Sequence, residues 1–445
     1  MKKILPLIAL GAGVGMAQAQ EQPNFVILFV DDLGWADLGY QNPKFDTPNI
    51  NQLKNDGIYY SHAYVSTATS SPSRASLLTG KEALRCGFVR HIYDAEDPSA
   101  PRDEFQTFER DPGNMKSRAW LPLEEITYAE RLKEMGYYNM FIGKWHLGHE
   151  PYYPTEQGFD AMYGTCEHGH PWNYYAPFFK TENPFPDARK GEDYLTNMLT
   201  DGAVDFVESY DNEQPFLLNL WYYGVHGPQY GRRDLVAKYK ARGMNTKDAT
   251  NAAMVEAIDE SVGRIREALE KMDMADNTVI IFSSDQGGAF SNAPLNGGKM
   301  GGNTLGEGGS RVPMIIYNPM ATSNGESYDK AVQTLDIYPT MVELASGKKC
   351  KDKQIQGVSL APTFGGKELK DRDLFLHRSY EDQNSAIVRG DYKLIKYRSG
   401  KLELFDLKND LSETTNLVNL HPELRDQMLK SLNDWQDEAT PQELY

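Results

Sequence analysis

Several apolar runs in this chain end in side chains that can do chemistry. Asn24 to Val30 (NFVILFV) runs into Asp31 and Asp32. Met140 to Trp145 (MFIGKW) carries Lys144 and leads to His146, Phe216 to Tyr222 (FLLNLWY) is followed by His226, and Thr278 to Phe282 (TVIIF) leads to Asp285. A different signal comes from Ser70-Ser71-Pro72-Ser73-Arg74, which continues Ala75-Ser76-Leu77-Leu78-Thr79-Gly80. Proline suits the first turn of a helix, where its missing N–H costs nothing. Residues at the mouth of such a helix lie in the positive field of its N-terminus, a natural seat for an anion. Arg74 adds a fixed positive charge there. A plain serine-capped helix is the alternative reading of the same residues.

The runs lack polar alternation, which suits strands of a mostly parallel sheet buried on both faces. Pro313 to Tyr317 (PMIIY) is a further run of this kind. Helical patterns separate the runs. Met254, Ile258, Val262, Ile265 and Leu269 keep the 3.6 period of an amphipathic helix, and Thr127 to Met135 predicts another. Alternating helix and strand predicts a doubly wound α/β fold, whose ligands bind at the carboxyl ends of the strands. The polar residues that follow the runs would meet there. From about Asp371 the pattern changes to short pieces, LFLH, AIVRG, YKLIKY and LELFDL, and then a helix around Pro422 to Trp435. This predicts a small C-terminal α+β subdomain, an antiparallel sheet with one helix. The expected division is 1–19, 20–365 and 366–445, with the lysine-rich stretch 347–353 as a solvated connector.

The chain has 445 residues, 40% hydrophobic and 24% charged, ordinary for a globular enzyme. Its formal net charge of −17 argues against a nucleic-acid or anionic-membrane partner. Any site for an anion must therefore build its positive field locally. Lys2 and Lys3, the apolar stretch Ile4 to Met16 and the small-x-small triplet Ala17-Gln18-Ala19 read as a signal peptide over residues 1–19. The expectation is an exported protein, periplasmic or secreted, with no membrane span. Cys86, Cys166 and Cys350 form neither a disulfide framework nor a metal-ligand spacing.

The Ser70 motif resembles the sulfatase signature, and Gly143-Lys144-Trp145-His146-Leu147-Gly148 resembles the second signature of that family. Asp31-Asp32-Leu33-Gly34 and Ser284-Asp285-Gln286-Gly287 are similar to its two metal-binding turns. Asn296-Gly297-Gly298-Lys299, Glu307-Gly308-Gly309-Ser310-Arg311-Val312-Pro313, Arg389-Gly390-Asp391-Tyr392-Lys393-Leu394 and Leu404-Phe405-Asp406-Leu407 follow in the family's order. Each motif is short, and their ordered set covers nearly all of the chain after residue 19. The resemblance implies an alkaline-phosphatase-like sheet, a sulfuric ester hydrolase activity, and oxidation of Ser70 to formylglycine by a dedicated maturation enzyme before export. It also implies one calcium ion per chain, held by Asp31, Asp32, Asp285, Gln286 and the modified Ser70. Such an all-oxygen, mostly anionic set is what a hard cation prefers, and its flexible geometry favours calcium over magnesium. One departure stands out: similar sulfatases usually carry Asn or His where Gln286 stands, and the longer side chain must fold back to present its oxygen.

By the same resemblance, Arg74, Lys144 and Lys299 are the cations of the sulfate site, with His146 and His226 as hydrogen-bonding partners. One hydroxyl of the hydrated aldehyde would attack sulfur, and the alcohol would leave with a proton from His226 or Lys299. The second hydroxyl, deprotonated by His146, would then expel sulfate. The segment Cys166 to Phe179 (CEHGHPWNYYAPFF) is rich in aromatic and imidazole rings. His168, His170, Trp172 and Tyr174 form either a sugar-stacking rim or a packed surface loop. Export and such a rim point to a sulfated carbohydrate, of glycosaminoglycan or mucin type. Two further readings stay open on sequence alone. One is a metal-dependent phosphatase or phosphodiesterase of the same superfamily using Ser70 unmodified. The other is a sulfatase-like fold that binds sulfated glycans without turnover, which Gln286 favours.

Overall fold

A computed structural model describes residues 22–93, 103–107, 115–299 and 303–445. The signal-peptide reading of residues 1–19 lies outside them. Asn24–Val30 forms a strand whose every residue is buried. Successive side chains of a strand point to opposite faces. Val26, Leu28 and Val30 therefore join one apolar cluster with the helices Leu195–Ser209 and Thr246–Lys271. Phe25, Ile27 and Phe29 join another with the helices Ser70–Thr79, Tyr128–Glu134 and Ile337–Ser346. Both faces are covered, which is why the run shows no polar alternation.

The sheet has eight strands, in the order Ser327–Tyr328, Ile58–Tyr60, Met314–Tyr317, Thr278–Ser284, Asn24–Val30, Phe216–Trp221, Tyr138–Gly143 and Ala161–Tyr163. The last five pair in parallel throughout. Met314–Tyr317 runs antiparallel to both of its neighbours. The expected mostly parallel sheet flanked by helices is present, and its runs are strands.

Local sequence fixes the helix ends. Thr127 and Glu130 form a reciprocal capping box, with Glu130 N–H donating to Thr127 Oγ1 at 3.1 Å and Thr127 N–H to Glu130 Oε2 at 2.7 Å. Asn245 caps the long helix by accepting from Asp248 N–H at 3.0 Å.

The last part of the chain is a four-stranded antiparallel sheet, Asp373–Tyr380, Gln383–Arg389, Tyr392–Tyr397 and Leu402–Asp406, with the helix Pro422–Ala439. Ile387, Leu394 and Leu404 pack under that helix against Met428, Leu432 and Trp435. The opposite face, with Leu374, Leu376, Ala386 and Val388, packs on Tyr64 and Leu305. No disulfide joins Cys86, Cys166 and Cys350 to one another. Among the described residues no helix is long and apolar enough to cross a membrane.

Candidate active site

The strands deliver the site. Asp31 and Asp32 follow Val30, Lys144 follows Gly143, and Asp285 and Gln286 follow Ser284, all at carboxyl ends of neighbouring strands. His226 comes a few residues after Trp221. Ser70 is the first residue of the Ser70–Thr79 helix and is buried. Its Oγ donates to Asp31 Oδ1 at 3.2 Å. Sequence alignment of motifs along the chain has thus become convergence in space.

Asp31, Asp32 and Asp285 are buried, and each offers a carboxylate oxygen within 4.8 Å of the others. Three cations answer them. Arg74, fully buried, donates to Asp285 Oδ2 at 2.9 Å and to the Lys144 carbonyl at 3.1 Å. Its guanidinium also lies 5.3 Å from the Trp221 ring and 5.5 Å from Phe29, so packing fixes its plane. Lys144 Nζ contacts Asp31 Oδ2, and Lys299 Nζ contacts Asp32 Oδ2. Burial alone would raise the Asp31 carboxyl, but Lys144, His226 and Arg74 together hold it below its ordinary value. Burial, helped by Arg74, pulls the Lys144 ammonium down despite Asp31. Burial and the neighbouring Asp31 raise Asp285. Burial opposes the charge on Lys299, yet Asp32 and Asp31 outweigh it and raise the group.

The residues fit a hard cation. Three carboxylates converge without any thiol or imidazole among them, which suits an oxygen-preferring metal. Gln286 folds back far enough: its Nε2 lies 2.6 Å from Asp32 Oδ1 and 3.2 Å from Ser70 Oγ. A half-turn about its last side-chain bond exchanges nitrogen for oxygen at that point. Asp32 and His146 hold left-handed backbone angles, φ 60° and 54°, each at a cost of about 1–3 kcal/mol. Such strain persists where the surroundings over-determine it, and here it aims two site residues.

His226 Nδ1 donates to the Gly227 carbonyl at 2.6 Å, leaving Nε2 toward Asp32 Oδ2 at 3.8 Å. His146 Nε2 donates to the Ile92 carbonyl at 2.8 Å, so Nδ1 is its proton-accepting atom. Ser70, His146, His226, Gln286 and Lys299 line one cavity of about 570 Å³. Behind that lining, Ser70 contacts Asp31, while Gln286 and Lys299 contact Asp32.

The aromatic segment 166–179 divides between the two readings left open for it. His170 lines the cavity and stacks on His226, with ring centroids 5.4 Å apart. Trp172 is 58% exposed and carries Lys180 over its ring at 3.6 Å. His168 instead stacks on Phe179 and hydrogen-bonds Thr181 Oγ1 at 2.7 Å. Tyr174 is fully buried, and its hydroxyl lies 2.7 Å from the carbonyls of both Tyr223 and His226. Tyr174 thus braces the loop that bears His226 from below, and the cavity wall is built without it.

Other wall residues were not foreseen. Thr304 and the hairpin tip Tyr380, Glu381 and Gln383 of the C-terminal sheet line the cavity, with Arg90 and Tyr93. The only sequence signal was the polar EDQ between two strand-like pieces, which marks a turn but not what it faces.

The family pattern described as Sulfatase matches residues 23–348. A second, described as N-sulphoglucosamine sulphohydrolase, C-terminal, matches residues 304–438. The chain is 32% identical over 413 residues to N-acetylgalactosamine-6-sulfatase of Canis lupus familiaris, covering 87% of this chain and 74% of that protein. It is 29% identical over 498 residues to a protein named Sulfatase from Formosa agariphila, covering 94% and 88%. Among solved structures, Ps i-CgsB in complex with k-i-k-neocarrahexaose superposes with a TM-score of 0.81 at 30% identity, covering 95% of this chain and 94% of that one.

Proposed function

The chain belongs to the sulfatase family of sulfuric ester hydrolases, and on that premise we propose that it is exported, removes O-sulfate from carbohydrates, and uses formylglycine made from Ser70 together with calcium. The observation that carries this reading is the position of Ser70. Its oxygen sits at a helix N-terminus, 3.2 Å from a carboxylate of the three-aspartate cluster, and lines the cavity. An unmodified serine ester has no second hydroxyl with which to expel sulfate, and the oxidised residue supplies that chemistry once hydrated. Asp31, Asp32, Asp285 and Gln286 would hold the calcium, which draws charge from the sulfate oxygens when bound.

The remaining roles belong to the chain's own side chains. Arg74 neutralises Asp285 and keeps that carboxylate oriented. Lys144 and Lys299 each answer one carboxylate of the cluster, so that with Arg74 three cations cancel three aspartates, and a divalent cation held there would leave the field favourable to an anion in a protein of net charge −17. His226 acts as the imidazolium: with its Nδ1–H held by the Gly227 carbonyl, it carries a second proton on Nε2, beside Asp32, delivers that proton to the departing sugar oxygen and is left as the neutral ring. His146 Nδ1 takes the proton that frees sulfate. His170, which lines the cavity, is assigned to meet the sugar, and the exposed Trp172 offers a second ring from the same segment.

A carbohydrate substrate is supported by two similarities. One relative is named for sulfate on N-acetylgalactosamine, and one similar structure holds a neocarrahexaose. The test is parallel assay of sulfate and phosphate esters, including defined sulfated saccharides, with protein made alongside its maturation enzyme. Sulfate release from saccharides, with phosphate esters poor, is expected. Preferential phosphate release by unmodified protein would overturn the reading. N-terminal sequencing of protein recovered outside the cytoplasm tests the cleavage after Ala19.

A further inference from the structure

Two loops of the site rest on one short segment. Gln286 is followed by Gly287, whose N–H donates to the Gly309 carbonyl at 2.9 Å. A Cβ on Gly287 would lie 1.9 Å from the Gly308 carbonyl oxygen, so the two backbones touch directly. On the other side, Gly308 N–H donates to the Asn296 carbonyl at 2.7 Å, and a Cβ on Gly308 would lie 2.4 Å from the Gly297 oxygen. Lys299 N–H in turn donates to Gly288 O at 3.1 Å. The backbone at 308–309 is therefore wedged between the loop that carries Gln286 and the loop that carries Lys299.

The C-terminal sheet grips that wedge at both ends. Gln383 Oε1 accepts from Thr304 N–H at 3.0 Å and Leu305 N–H at 3.1 Å. Lys393, fully buried, donates to Glu307 Oε1 at 3.0 Å and to Ser310 Oγ at 3.3 Å, and lies 3.3 Å from Glu413 Oε1. Glu413 Oε2 accepts from Glu307 N–H at 2.7 Å. Tyr64 OH at 3.0 Å and Arg311 at 3.2 Å complete the shell around the other Glu307 oxygen.

We propose that Lys393 and Glu413 are positioning residues for sulfate binding: through Glu307 they hold the 308–309 wedge, and the wedge sets Gln286 and Lys299 against Ser70. The C-terminal sheet is then part of the binding apparatus and not only a neighbour. The inference rests on the reading that inorganic sulfate, the product, occupies the Lys299 side of the cavity. If the account holds, loss of Lys393 acts on the ligand by way of Lys299.

The experiment is a double-mutant cycle read by calorimetric binding of inorganic sulfate to the full, matured chain. Lys393→Met should weaken sulfate binding about tenfold, while adding less than about threefold on top of Lys299→Ala. Independent, multiplying losses would overturn the proposal, as would unchanged binding by a folded Lys393→Met protein. Glu413→Gln, which preserves shape and an acceptor for Glu307 N–H, carries the same cycle if Lys393→Met does not fold. Failure of the underlying reading shows differently: the wild-type protein would neither bind sulfate nor release it from esters.

Discussion

Two buried clusters of charge sit close together in this protein and are built from the same residue types. One joins Asp31, Asp32 and Asp285 to Arg74, Lys144 and Lys299. The other joins Glu307 and Glu413 to Lys393 and Arg311. The first contributes Lys299 to a cavity wall and meets that cavity through Ser70 and Gln286, and one oxygen of each aspartate lies within 4.8 Å of the others. The second is sealed between the 303–311 segment and the C-terminal sheet: both Glu307 oxygens and Glu413 Oε2 accept hydrogen bonds, and Glu413 Oε1 lies 3.3 Å from Lys393 Nζ. Burial of charge alone thus says little about role. What separates a reactive cluster from a joint is convergence of like-charged oxygens on a space that a ligand can enter.

This contrast is sharpest in a pair of matched substitutions. Lys144→Met should lower turnover by about 10²-fold or more, because it removes positive charge from where the transition state gathers negative charge. Lys393→Met should instead lower stability by about 3–5 kcal/mol, the usual result of removing one partner from a buried ion pair. Steady-state kinetics and chemical denaturation of both variants check the pair. Equal kinetic losses with equal stabilities would erase the distinction.

A metal offers the next test. Calcium at a hundred times its dissociation constant should stabilise the wild-type protein by about 2.7 kcal/mol, by mass action on the folded state alone. Asp285→Asn should abolish most of that gain, whereas Glu413→Gln, which acts on the metal only through Gln286, should lose a small part of it. Thermal melts with calcium and with chelator decide this; equal gains in both variants would place the metal elsewhere.

The last test concerns pH. Burial, outweighing the attraction of Lys393, lifts Glu413 from an ordinary value of 4.5 to about 7. The folded state then holds this proton more tightly than the unfolded chain does. Its contribution to stability is present below about pH 4.5 and is lost as pH rises through about 7. The slope is at most ~1.4 kcal/mol per pH unit. Glu413→Gln should flatten this part of the stability profile, as denaturation at several pH values would reveal; an unchanged slope would mean that another group titrates there.

Asp31, Asp32, Lys144, His226 and Asp285 of the candidate site were readable because they follow apolar runs, and a run that ends in Asp31 or Lys144 announces both a strand and what lies at its end; Ser70, Arg74 and Lys299 were reached through short motifs and the resemblance that these carry. The joint was not readable, since Tyr64, Glu307, Lys393 and Glu413 come from segments that only the folded chain brings together; Lys393 and Glu307 alone are 86 residues apart. Nor does periodicity carry strand direction, which is why Met314–Tyr317 reads like its neighbours yet runs against them. Composition misleads in a different way at residues 166–179. An aromatic ring with a polar tip serves equally at a sugar rim or beneath a loop, and the fold puts Tyr174 beneath a loop and His170 on the cavity wall. Gln286 shows the converse: its long side chain folds back so that the amide meets Asp32, and the next residue, Gly287, is held by the Gly309 carbonyl from a segment that the sequence does not mark.

The central claim concerns the chemical state of one side chain. Peptide mass spectrometry across residues 70–74 of protein from its own host measures that state directly. The account predicts a mass lower by two hydrogens at Ser70, with Ser71 unchanged. An intact alcohol at Ser70 in protein that still liberates sulfate from its esters would contradict it.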